Sequence, residues 1–126
     1  MTRSAFALAT LLLSAPAPAQ PFAWDGAQRV QVILSSFKYK PRTLHLRAGQ
    51  PVVLRLVNTS GGGHDFTARE FFAAATLATP VPGGKVELGS GQSREVALVP
   101  KAGRYKVKCT HTFHQTLGMS GEIVVD

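Results

Sequence analysis

Residues 105–125 read YKVKCTHTFHQTLGMSGEIVV. The opening residues alternate, with Tyr105, Val107 and Cys109 set against Lys106 and Lys108. That is the period-two pattern of a half-buried strand. It points the Cys109 thiol inward near a strand end and leaves both lysines in solvent. A loop closed by Gly118 and Gly121 follows, and residues 123–125 form another β-rich run. The same alternation recurs outward from this stretch. Val30, Val32 and Leu34 oppose Arg29, Gln31 and Ser35, and Leu44 and Leu46 alternate with Thr43, His45 and Arg47. The turn Ala48-Gly49-Gln50-Pro51 leads into Val52, Leu54 and Leu56; Val86 with Leu88 and Val96 with Leu98 continue the series. Short strands separated by Gly and Pro turns predict an all-β sandwich or barrel.

One short helix is expected before the later strands. Thr67-Ala68-Arg69-Glu70 matches a capping box, in which Thr67 and Glu70 satisfy free amides reciprocally. The Ala-rich residues 71–78 follow, and Pro80 is expected to end the helix. Gly61-Gly62-Gly63 is too short to separate domains and is read as a bend in the backbone before His64.

The chain has 126 residues, 44% of them hydrophobic and 17% charged, which suits one folded domain. Its single cysteine excludes an internal disulfide, a multi-cysteine zinc site and an iron–sulfur cluster held by this chain's thiolates alone. The formal charge of +7 points to nucleic acid, a membrane surface or an acidic partner. The basic residues are spread over several strands without interleaved aromatic rings, which disfavours nucleic acid. A solvated basic surface that meets an acidic protein partner is the expectation.

Residues 1–19 have the layout of a secretory signal peptide: Arg3, a short apolar run over residues 5–13, and the small-residue site Ala17-Pro18-Ala19. The apolar run is far shorter than the ~20 residues of a membrane span. Cleavage after Ala19 would leave a domain over residues 20–126, exported to the periplasm without stable membrane insertion and expected to be a monomer. An unpaired cysteine in an exported protein calls for a function.

Cys109, His114 and Met119 lie at five-residue intervals on one loop. A thiolate, an imidazole and a thioether form a soft donor set that suits copper better than magnesium, calcium or manganese. A second imidazole would complete two His and one Cys in a plane with a weak axial Met. His64, in Gly-His-Asp-Phe, is the natural candidate, delivered by a strand beside that of Cys109.

The stretch resembles the cupredoxins, the small type 1 blue copper proteins. Cys-x4-His-x4-Met has the ligand spacing of rusticyanin. Tyr-x-Val-x-Cys-Thr and Gly-Met-x-Gly-x-Ile-x-Val are similar to the flanking motifs of plastocyanin and pseudoazurin. The resemblance implies a Greek-key β-sandwich, one type 1 copper held by His64, Cys109, His114 and Met119, and one-electron transfer between protein partners. Asp65 stands where many cupredoxins carry Asn. It is expected to accept from Thr110, while its backbone N–H donates to the Cys109 sulfur and its charge favours Cu(II). Phe113 and Leu117 are expected to form an apolar patch around His114.

Other readings fit less well. His111 competes with His114, but its spacing from Cys109 leaves little loop, so it is read as a neighbour of the site. His45, on the polar face of its strand, is read as exposed. A Cys109–His114 nucleophilic pair lacks an orienting Asn and an oxyanion hole and leaves the methionine without a role. Zinc does not ordinarily take a thioether. A copper carrier that delivers the metal to another exported protein needs the same ligands and remains the principal alternative. A sandwich whose site goes unused, acting only as an interaction module, is the third reading.

Overall fold

Where the sequence alternates, the chain lies in strands. A computed structural model describes Leu13, residues 24–114 and residues 116–126. Apart from Leu13, the expected signal peptide and its cleavage site lie outside the described residues. The strands are β1 (Gln28–Ser35), β2 (Lys38–Lys40), β3 (Thr43–Leu46), β4 (Val52–Asn58), β5 (His64–Thr67), β6 (Thr76–Leu77), β7 (Lys85–Leu88), β8 (Ser93–Val99), β9 (Gly103–Lys108) and β10 (Ser120–Val125). They form two five-stranded sheets, ordered β2-β1-β4-β8-β6 and β3-β10-β9-β5-β7. β1 runs parallel to β4 and β3 parallel to β10, and the remaining pairs are antiparallel.

The inward residues of both sheets fill the space between them. Leu34, Leu54, Leu56, Leu88, Leu98 and Ile123 have no exposed surface. Burying each such side chain contributes roughly 1.5–3 kcal/mol. Tyr39, at the centre of the three-residue β2, is buried edge-on to Phe66 at 5.5 Å between ring centroids. Gly121 lets β10 pass the loop before β3, because a Cβ there would collide with the Arg42 carbonyl oxygen. Among the described residues no helix is long and apolar enough to cross a membrane.

The helix differs from its expectation. α1 spans Arg69–Ala74, starts from Ala68 and has no side-chain cap. Thr67 cannot cap it because Thr67 ends β5, opposite Lys108 and Lys85, and its hydroxyl donates to Asp65 Oδ1 at 2.7 Å. The helix also stops well before Pro80. Ala75 is already extended, and Thr76 and Leu77 pair with Val99 and Leu98 of β8. An edge strand on one sheet therefore ends the helix, and Phe71 and Phe72 anchor it in the core.

Candidate metal centre

The buried ends of β5 and β9, together with the loop after β9, converge at one end of the sandwich. β5 lies beside β9 through the Thr67–Lys108 pair, which brings the start of β5 next to Cys109 across the sequence gap. His64 is 1% exposed and Cys109 fully buried, whereas His114 is half-buried. His64 Nδ1 lies 3.1 Å from His114 Nδ1, and Cys109 Sγ lies 3.4 Å from the same nitrogen. The three donor atoms fall within 4.8 Å of one another. Met119 is fully buried and tied to two of these residues by backbone bonds: Cys109 N donates to Met119 O at 3.1 Å, and Met119 N to His114 O at 3.0 Å. Two imidazoles and a thiol on so small a perimeter, with a buried methionine bonded through its backbone to two of them, are the donor set a single type 1 copper takes.

The environment keeps the donors in the forms a metal accepts or displaces. Burial, and then the facing His114 and His111 rings, push the His64 imidazole below its usual pKa, so it stays neutral with a free lone pair. Burial pushes the Cys109 thiol up, opposed by N–H groups from the backbones of Asp65 and His111. Metal binding at this thiol must therefore release a proton. Ser36 Oγ lies 3.4 Å from His64 Nε2, which orients the ring with Nδ1 toward Cys109 and His114.

Asp65 holds the two ligand segments together as the sequence suggested. Its N–H donates to Cys109 Sγ at 3.4 Å. Its fully buried carboxylate accepts from Thr110 Oγ1 at 2.6 Å, from Thr110 N at 3.0 Å and from Thr67 Oγ1 at 2.7 Å. His111 Nε2 and Lys85 Nζ stand 3.7 and 4.0 Å from it. Asp65, Cys109 and His111 form a second close trio, but that carboxylate is already occupied by Thr67 and Thr110. His111 instead stacks on His114 at 5.2 Å and bonds Glu87 Oε1 through Nε2 at 2.5 Å. His45 is exposed, as expected.

Several contributors carry no signal in the sequence. Tyr39 donates to the Asp65 carbonyl at 2.6 Å. Asn58, fully buried at the end of β4, donates to the Gly62, Leu88 and Gly89 carbonyls and so fixes the glycine loop before His64. Phe37 sits edge-on to His114 at 4.9 Å. Phe113 and Leu117, on the loop that carries His114, are 73% and 57% exposed and add apolar surface at this end of the molecule. Phe113 holds φ at 65°, a left-handed conformation that costs a non-glycine residue on the order of 1–3 kcal/mol.

A family model described as a cupredoxin-like domain matches residues 3–125. Among solved structures, auracyanin B matches with a TM-score of 0.62 at 25% identity, covering 79% of this chain and 89% of that one. Auracyanin from the photosynthetic bacterium Roseiflexus castenholzii gives 0.62 at 20% identity over 80% and 99% of the two chains. Auracyanin A from Chloroflexus aurantiacus, described as a blue copper protein, gives 0.58 at 22% identity over 80% and 100%. At their identities the last two speak for the fold alone. No curated protein matches the chain.

Proposed function

The chain belongs to the cupredoxin-like domain family, and from that premise we propose that it is an exported, periplasmic type 1 copper protein carrying single electrons between protein partners. In this reading it is a carrier rather than an enzyme, and residues 1–19 are removed on export. The observation that supports it most directly is the buried convergence of His64, Cys109 and His114 within 4.8 Å, beside the buried Met119. These four would hold the metal, with the thioether as the weakest donor of the set. When bound, copper supplies a Cu(II)/Cu(I) couple.

The protein's own part is to keep the donors still. Ser36 orients His64, the Asp65 N–H supports the sulfur, and the Asp65–Thr110 bonds tie the β5 end to the Cys109 loop. A framework already closed in this way has little reason to move when one electron is added. His114 alone among the three reaches partial exposure, at the end of the molecule where Phe37, Phe113 and Leu117 present apolar surface. That surface suits a brief, weakly held encounter in which the ring edge faces a partner.

Burial of His64, Cys109 and Met119 argues for retention of the metal rather than delivery. Voltammetry on the chain loaded with one equivalent of copper tests this. The expected result is a reversible one-electron wave with the copper retained through repeated cycles. Release of copper on each reduction would replace the shuttle by a delivery protein.

A further inference from the structure

Among the described residues, basic side chains without an ion pair occur on both sheets, Lys38, Lys40 and Arg94 on one of them, but only on the other do they gather along a groove. On the outer face of the β1–β4–β8 sheet, Arg29 and Arg55 both reach Glu95, at 3.1 and 3.6 Å. The opposite sheet carries an open groove of about 930 Å³ between α1, β9 and β10. Arg42, Arg69, Arg104, Lys106 and Lys108 line it. The acidic residues on its walls are Glu70 and Glu122, and Glu122 is engaged by Arg104 at 3.0 Å. Among the described residues, Arg42, Arg69, Lys106 and Lys108 have no ion pair.

This arrangement follows from register. Arg104, Lys106 and Lys108 occupy alternate positions of β9, so all three face outward while Val107 faces the core. Arg69 at the start of α1 bounds one side, and Arg42 before β3 bounds the other. The groove ends at Lys108, the residue before Cys109. We infer that this groove is a docking site for an extended acidic segment of a protein partner, separate from the apolar surface at the His114 end. Tyr105 turns its hydroxyl to the carbonyls of Lys101 and Ala102 and packs its ring on Phe71 at 5.5 Å, so the groove offers no free ring for base stacking. That favours carboxylates on a peptide over nucleic acid. Unpaired cations in a concave surface focus the field and favour a polyanion at low ionic strength.

The proposal deepens the electron-carrier reading and rests on it only for the purpose of the partner. Its test is therefore independent of copper chemistry. The full chain, labelled for NMR, is titrated with a short poly-glutamate peptide at low and high salt, and separately with a short oligothymidylate. The expected result is amide shifts concentrated at Arg69, Arg104, Lys106 and Lys108. Affinity should fall steeply with salt and roughly tenfold or more in Lys106→Glu/Arg69→Glu, with little change in Arg29→Glu. Lys106→Ala, a milder change on an exposed strand face, should weaken binding in the same direction and guards against misfolding of the double variant. Shifts spread evenly over both sheets, an equal loss in Arg29→Glu, or tighter binding of the oligothymidylate would overturn the inference. A chain that failed to form a coloured copper site yet bound the peptide here would sink the electron-carrier reading and leave the groove standing.

Discussion

Replacing Asp65 by Asn removes one buried negative charge, and with it the Lys85 ion pair, while keeping the hydrogen bonds that tie residue 65 to Thr67 and Thr110. Oδ1 accepts from Thr67 Oγ1 and from Thr110 N, and an Asn oxygen in its place would accept both. The other oxygen accepts from Thr110 Oγ1. An Asn nitrogen there would donate to that hydroxyl, whose hydrogen can turn to solvent because Thr110 is exposed. The fold should be nearly unaffected, so the charge is isolated as the variable. A carboxylate oxygen of Asp65 lies within 4.8 Å of Cys109 Sγ. At an effective dielectric near 20, unit charges ~5 Å apart interact by about 3 kcal/mol. Lys85 at 4.0 Å offsets part of that field. A residue of ~1–2 kcal/mol corresponds to roughly 40–90 mV for one electron. Because the lost charge is negative, added electron density is better tolerated and the reduction potential should rise. Equilibrium redox titration of the copper-loaded variant measures it, with an unchanged visible spectrum certifying the ligand set. A potential that stays the same or falls, with the spectrum preserved, would refute the electrostatic role of Asp65. Lys85→Met should move the potential the other way and by less, since that side chain is 40% exposed.

Other expectations bear on different parts of the molecule. Cys109→Ser should keep the sandwich folded, as circular dichroism would show, yet abolish the intense visible band of the copper-loaded chain. In the metal-free protein, the lowered His64 pKa means that the unfolded chain takes up the proton more readily. Stability should therefore be full above pH ~6.5 and decline as pH falls from there toward the folded value, as denaturant midpoints at a series of pH values would reveal. The raised thiol pKa and full burial of Cys109 predict slow alkylation of the native metal-free chain near neutral pH, becoming fast on unfolding. Gly121→Ala should destabilise by about 1–3 kcal/mol in chemical denaturation, because the new methyl meets the Arg42 carbonyl and must push β10 from β3.

What could be read in advance was local in sequence or period-two. The alternation of Tyr105, Val107 and Cys109 set the inward thiol, and the structure buries Val107 and Cys109 while Lys106 and Lys108 stay outside. The five-residue intervals from Cys109 to His114 to Met119 put these residues on one loop, and the bonds of Asp65 to Thr110 and to the sulfur are those its position suggested. The helix start was misread because Thr67 answers two demands, and strand pairing with a buried carboxylate outcompetes a cap. The helix end was misread because a two-residue strand has no periodicity to detect; only the long-range pairing with β8 defines it. Ser36, Phe37, Tyr39 and Asn58 escaped for the same reason. Each acts on a partner brought close by the sheets, across a span of sequence that carries no pattern.

The central claim is that His64, Cys109, His114 and Met119 hold one redox-active copper. The most direct test is to add Cu(II) to the purified chain and record visible absorption before and after ascorbate. The account predicts an intense thiolate-to-copper band that saturates at one equivalent, bleaches with ascorbate and returns on reoxidation. A chain that stays colourless with Cu(II), or whose colour survives replacement of Cys109 by Ser, would contradict it.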